Sequence, residues 1–160
     1  MHEVRKWLII ASQQLDRLRV SWAELRTADK RIPPTSAWIL DPGINEWVKA
    51  QDLLWGDLHF LYISLNNLFK AIQKAPNLPR AIRETGDYQE LSLDVKMLRD
   101  IHEHWDDEKD LRALRKFKKH HPETDPKAIG LIPFKEFQAG GIDLNKIQSL
   151  ILRLENELEV

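Results

Sequence analysis

The densest run of titratable side chains is Arg99-Asp100-Ile101-His102-Glu103-His104, followed by Trp105-Asp106-Asp107-Glu108. A helix advances about 100° per residue, so Arg99 and Glu103 stack at i, i+4, as do Asp100 and His104, while His102 lies near Arg99 at i+3. One face then presents a cation, an acid and an imidazole. Asp100 accepting a hydrogen bond from one ring nitrogen of His104 would fix the tautomer and leave the other nitrogen for proton transfer. Arg99 projects about 140° from His104 on a regular helix, so the two converge on one target only where the helix breaks or a second subunit contributes. The plainer reading is a solvated helical face with ion pairs worth about 0.3–0.5 kcal/mol each.

A second cluster follows. Arg112, Arg115, Lys116, Lys118, Lys119, His120 and His121 gather positive charge within ten residues, and Arg112, Arg115, Lys116 and Lys119 share a stripe if the segment is helical. Such a stripe attracts phosphates. It would equally balance the acidic residues at 106–110 or favour the negative end of a helix dipole. Phe117, inside the run, is expected to face the core.

Other chemistries are less well supplied. His102 and His104, two residues apart, point about 200° from each other on a helix and so cannot chelate one ion together. No metal ligands and no cofactor are assigned, although His120-His121 with Glu123 and Asp125 supply ligand types. The chain has no cysteine, which excludes thiolate zinc sites, Fe–S clusters and cysteine nucleophiles. Nucleophile-elbow, Walker and dinucleotide glycine motifs are missing from it. His59, amid Leu58, Phe60 and Leu61, reads as an interior histidine, and the tryptophans read as packing anchors, with Trp105 placed to shape a pocket or dimer seam.

The elements that must position these groups follow from apolar spacing. Val4, Trp7, Leu8, Ala11, Leu15, Leu18, Trp22 and Leu25 step by three and four, predicting a helix over 4–25 that fades at 28–31 before Pro33-Pro34. A connector over 31–43 carries Trp38-Ile39-Leu40, expected to fold back on the core, and ends in an Asp41-Pro42-Gly43 turn. A long second helix is predicted over 45–74 on Trp47, Leu54, Leu58, Leu61, Leu65, Leu68 and Ile72; at that length it curves, kinks at Gly56 or forms the spine of an elongated bundle. After a connector over 76–86, Asp87 can cap a third helix bearing Leu91, Leu93, Val95, Leu98 and Ile101, which reaches at least His104 and continues or restarts toward Leu111, Leu114 and Phe117. Residues 129–134 can pair with 134–138 as a small hairpin, against which Pro133 counts. Asp143 then caps a last helix along Ile147, Leu150, Ile151, Leu154 and Leu158.

The expected fold is therefore all-α, a bundle of four to five helices in one domain over 1–160, with a long second helix. At 160 residues and 42% hydrophobic residues, one core without disulfides suffices. The net charge is −1, so any nucleic-acid affinity must come from a local patch. The longest uncharged stretch, 58–69, is far short of the roughly 18 apolar residues a bilayer span needs. No membrane contact and a cytoplasmic location are the corresponding expectations.

Arg99-Asp100-Ile101-His102-Glu103-His104 resembles the signature of the HEPN superfamily: an Arg, a polar residue, three to five residues, then His. It fits the shortest form, with Asp100 at the polar position and His104 as the terminal His; Asp rather than Asn follows the Arg, which makes the local field less favourable to RNA. The resemblance covers the architecture of most of the chain and six residues of motif. It implies a metal-independent endoribonuclease with Arg99, Asp100 and His104 catalytic, and His102 with the basic stretch against RNA. It also implies a homodimer with a site shared between subunits, and a toxin-type role with a cognate antitoxin protein. Many members of the superfamily are instead non-catalytic interaction or scaffold modules, which is the alternative function the resemblance implies.

Overall fold

The computed structural model describes residues 1–31, 42–76, 78, 82, 86–103, 111–122, 138–139 and 142–159, with backbone alone at 42, 86, 87, 102, 111–113, 138, 139 and 142. These form α1 (His2–Asp29), α2 (Pro42–Lys74), α3 (Gly86–Glu103), α4 (Leu111–His120), a short ladder of β1 (Gln138–Ala139) with β2 (Ile142–Asp143), and α5 (Leu144–Leu158). The fold is an all-α bundle. No helix among the described residues is long and apolar enough to cross a membrane.

The most extensive pairing joins α1 to α2. From α1, Val4, Leu8, Ala11, Leu15 and Leu18 are buried, with Trp7, Trp22 and Leu25 packed more shallowly on the same core. Leu54, Leu58, Leu61, Leu65, Leu68 and Ile72 of α2 face them, all but sealed from solvent. Fully burying each such leucine contributes roughly 1.5–3 kcal/mol. Polar ties fix the register of this pair: Arg17 Nη2 lies 3.0 Å from the buried Asp57 carboxylate, which also accepts a hydrogen bond from the Ser21 hydroxyl. Against the other side of α1 lies α5, tied by Arg5 Nη2 donating to the Leu158 carbonyl at 2.9 Å and by Arg19 donating to Gln148.

Thirty-three residues make α2 about 50 Å long. It runs unbroken through Gly56, where an added Cβ would meet nothing within 4 Å. Gly56→Ala is therefore expected to stabilise the protein by about 0.5–1 kcal/mol, because alanine costs less backbone entropy in a helix interior. Urea unfolding checks it: a lower midpoint would mean that α2 depends on flexibility at this point.

Several boundaries differ from the sequence reading. Pro42 and Gly43 lie in the first turn of α2 rather than in a turn before it, since a proline lacking its N–H is at no disadvantage at a helix start. Helix α3 begins at Gly86, which puts Asp87 inside the helix rather than at its cap. Leu93 is 42% exposed, being about 200° from Leu91, and the buried face of α3 is Tyr88, Leu91, Val95, Leu98 and Ile101. The described hairpin pairs Gln138 with Asp143 and Ala139 with Ile142, further along than expected, around the Gly140-Gly141 dipeptide. Two glycines between strands are a stronger turn signal than any in 129–138, where Pro133 removes a ladder donor. Asp143 does cap α5, its carboxylate accepting from the Asn145 N–H at 2.8 Å. The Trp38-Ile39-Leu40 triplet and residues 129–134 lie outside the described residues.

Candidate functional site

Arg99 sits in the last turn-and-a-half of α3, on its side toward α2, with 23% of its side chain exposed. Its guanidinium is held from three directions. Nη1 donates to the Asn66 side-chain oxygen at 2.8 Å, with the amide oriented so that the same oxygen also accepts from Lys70 Nζ at 3.3 Å. Nη2 pairs with the Asp100 carboxylate, and Nε lies 3.4 Å from Glu103 Oε2 as an ion pair. Asn66 is buried, so its amide could not be stranded without a desolvation cost of about 1–3 kcal/mol. The result is a cation fixed at the edge of the bundle and flanked by two carboxylates, whose charge is balanced only when the nearby Lys70 ammonium is counted with it.

The expected Arg99–Glu103 stacking is present. Asp100, read as the orienter of His104, has its carboxylate on Arg99. His104 lies outside the described residues, as do Trp105 and the side chains of His102 and Arg112. Further on, Arg115, Lys116, Lys118, Lys119 and His120 of α4 are exposed, while Phe117 is completely buried and Leu114 partly so. The 10-residue α4 therefore turns one apolar edge inward and its cations to solvent. His59 is only half-buried, its ring edge-on to the exposed Phe60, because its position falls at the margin of the α2 core face rather than inside it. Of the tryptophans, Trp7 and Trp22 pack against the core as anchors.

One polar cluster was not visible in the sequence. His121, just past α4, places Nε2 2.9 Å from Asp94 Oδ1 of α3, and its ring stacks on Phe117 at 4.5 Å. Both partners are largely shielded, with side-chain exposures of 16% and 7%. The residue read as part of a cationic run or a metal pair thus fastens α4 to α3. No periodicity links positions 27 apart; the only local sign was Pro122, which stops the helix where His121 can turn inward.

Tyr62 of α2 belongs to the same region. Burial first, and the Asp94 charge second, push its hydroxyl far above the ordinary tyrosine value of about 10. Below that pH the hydroxyl is protonated in folded and unfolded chains alike. Above it the unfolded chain releases the proton and the folded one keeps it, so stability falls as pH rises, by up to about 1.4 kcal/mol per unit. Tyr62→Phe is expected to flatten this slope between about pH 10 and 11. Urea unfolding across that range checks it; an unchanged slope would contradict the assignment.

Among the described residues no three His, Asp or Glu side chains are grouped as a metal site. Compared with protein-family models, with curated proteins and with solved structures, the chain matches none.

Proposed function

We propose that this chain is a HEPN-type, metal-independent endoribonuclease whose Arg99 and His104 act together at a homodimer interface. The observation that supports it most directly is Arg99 itself: a guanidinium anchored by Asn66 and Glu103 near the end of α3, five residues before His104. A fixed planar fork is what charge stabilisation at a phosphate requires. In this reading His104 takes the proton of a ribose 2′-OH as the 2′-oxygen bonds to the adjacent phosphorus. The P–O5′ bond then breaks, the 5′-oxygen takes up a proton, and a 2′,3′-cyclic phosphate remains. Arg99 offsets the charge that builds on the non-bridging oxygens. His102 and the cations of α4, Arg112, Arg115, Lys116 and Lys119, draw the strand in through its phosphates. Such an activity suits a cytoplasmic toxin or defence component restrained by an antitoxin protein.

A second reading rests on one observation. Asp100 already holds Arg99 Nη2 and Glu103 lies 3.4 Å from Nε, so a phosphate approaching either nitrogen competes with a carboxylate. A non-catalytic helical interaction module would leave that network undisturbed.

Subunit mixing tests the proposal. Arg99→Ala and His104→Ala proteins, each inactive alone, are expected to recover part of the wild-type cleavage when combined and allowed to exchange, because one intact composite site can form. No recovery from proteins shown to exchange subunits would contradict a shared site; a wild type without cleavage would favour the interaction module.

A further inference from the structure

Where the N-terminal turns of α1 meet the C-terminal turns of α2, a cavity of about 470 Å³ opens to solvent. That volume lies within the range of small-molecule sites. Its walls combine three kinds of group. Trp7, partly buried against the core, supplies an aromatic surface; Lys70 and Lys74, one helical turn apart on α2, supply two exposed ammonium groups; Asn67 supplies an amide. Lys6, which does not line the cavity, sets an ammonium 5.3 Å from the centre of a Trp7 ring. The carboxylate at the rim, Glu3, is 4.0 Å from Lys6 and so partly offset.

The cavity and the arginine site share Lys70, which lines the first and also reaches the Asn66 oxygen that receives Arg99. A phosphate on Lys70 and a phosphate at Arg99 would therefore sit on the two sides of a single asparagine. The position of Lys74 is explained equally by the helix dipole, which favours cations at this end of α2. Neither Trp7 nor Asn67 in the same wall has that explanation.

From this arrangement we infer that the cavity is a nucleotide subsite for the RNA strand running from the phosphate at Arg99. A base lies against the Trp7 indole with Asn67 at its edge, and its phosphate lies between Lys70 and Lys74. The inference rests on the ribonuclease reading for the identity of the ligand. Stacking on an aromatic ring is tolerant of base identity, so the subsite adds affinity and register with little sequence preference.

The test is binding of a short, fluorescently labelled 2′-O-methyl oligoribonucleotide, which lacks the attacking hydroxyl and so reports binding apart from cleavage. The Lys70→Gln/Lys74→Gln protein is expected to bind roughly ten-fold more weakly than wild type, with a log–log salt slope shallower by about 1.4, and Lys74→Gln alone, which leaves the Lys70–Asn66–Arg99 contacts in place, should already lower the slope by about 0.7. Trp7→Leu should lose a similar factor and Trp7→Phe should recover most of it, which a loss of packing alone would not predict. Unchanged affinity and slope in the double lysine variant overturns the subsite even if wild type cleaves RNA. Binding that depends on Trp7, Lys70 and Lys74 in a protein that cleaves nothing supports the subsite and removes the ribonuclease. Tighter binding of a nucleoside monophosphate than of the oligomer overturns the assignment to an RNA strand.

Discussion

Arg99→Ala is expected to lower RNA cleavage by roughly 10²- to 10³-fold, the usual loss when one preorganised donor to a transition-state oxyanion is removed. The guanidinium is held at the bundle edge by Asn66, Asp100 and Glu103, so most of its ordering is complete before substrate arrives. Arg99→Lys separates charge from geometry. It keeps the cation but cannot span Asn66 and a phosphate together, and it should recover only a minor part of the loss. Initial cleavage rates on one RNA, with helicity checked by circular dichroism, decide the matter. A folded Arg99→Ala protein that cleaves at the wild-type rate would remove Arg99 from the chemistry and leave it as a packing cation between α2 and α3.

Phe117→Ala should cost about 3–5 kcal/mol, because it empties a fully buried aromatic site. The effect reaches beyond a cavity. At 10 residues α4 is too short to be helical in isolation, and it is held by Phe117, by Leu114 and by the His121–Asp94 hydrogen bond. Phe117 also supplies the ring on which His121 stacks, so truncation loosens both fastenings. Since the cations of α4 point outward from this anchor, the variant should also weaken RNA binding at temperatures where it is still folded. Urea unfolding and oligonucleotide binding at the same temperature measure the two effects. A loss below about 1 kcal/mol would show that Phe117 is not the main anchor of α4.

The parts of this architecture written in local periodicity could be read from the sequence, and those made by distant pairs could not. The stripe from Val4 to Leu25 and that from Leu54 to Ile72 lie where their three- and four-residue steps put them, because burial repeats with the helix. The Asp143 cap and the Arg99–Glu103 pair are equally local. Pro42 was ambiguous, since a proline reads the same before a helix as in its first turn. Leu93 is apolar like Leu91 and Val95, but its angle on the helix takes it off the buried face. Arg99 illustrates the limit at the site: its pairing with Glu103 is local, while the Asn66 oxygen that also holds it comes from another helix. Asn66–Arg99 and Asp94–His121 join residues about thirty positions apart, and a polar pair made once per fold leaves no repeat along the chain.

The most direct measurement is cleavage of a mixed RNA pool by the purified protein in excess EDTA, with analysis of the new ends, beside His104→Ala. The account predicts cleavage by wild type that leaves 2′,3′-cyclic phosphates, and none by the folded variant. A folded wild type that leaves the RNA intact, or that cleaves only when a divalent metal is restored, would contradict it.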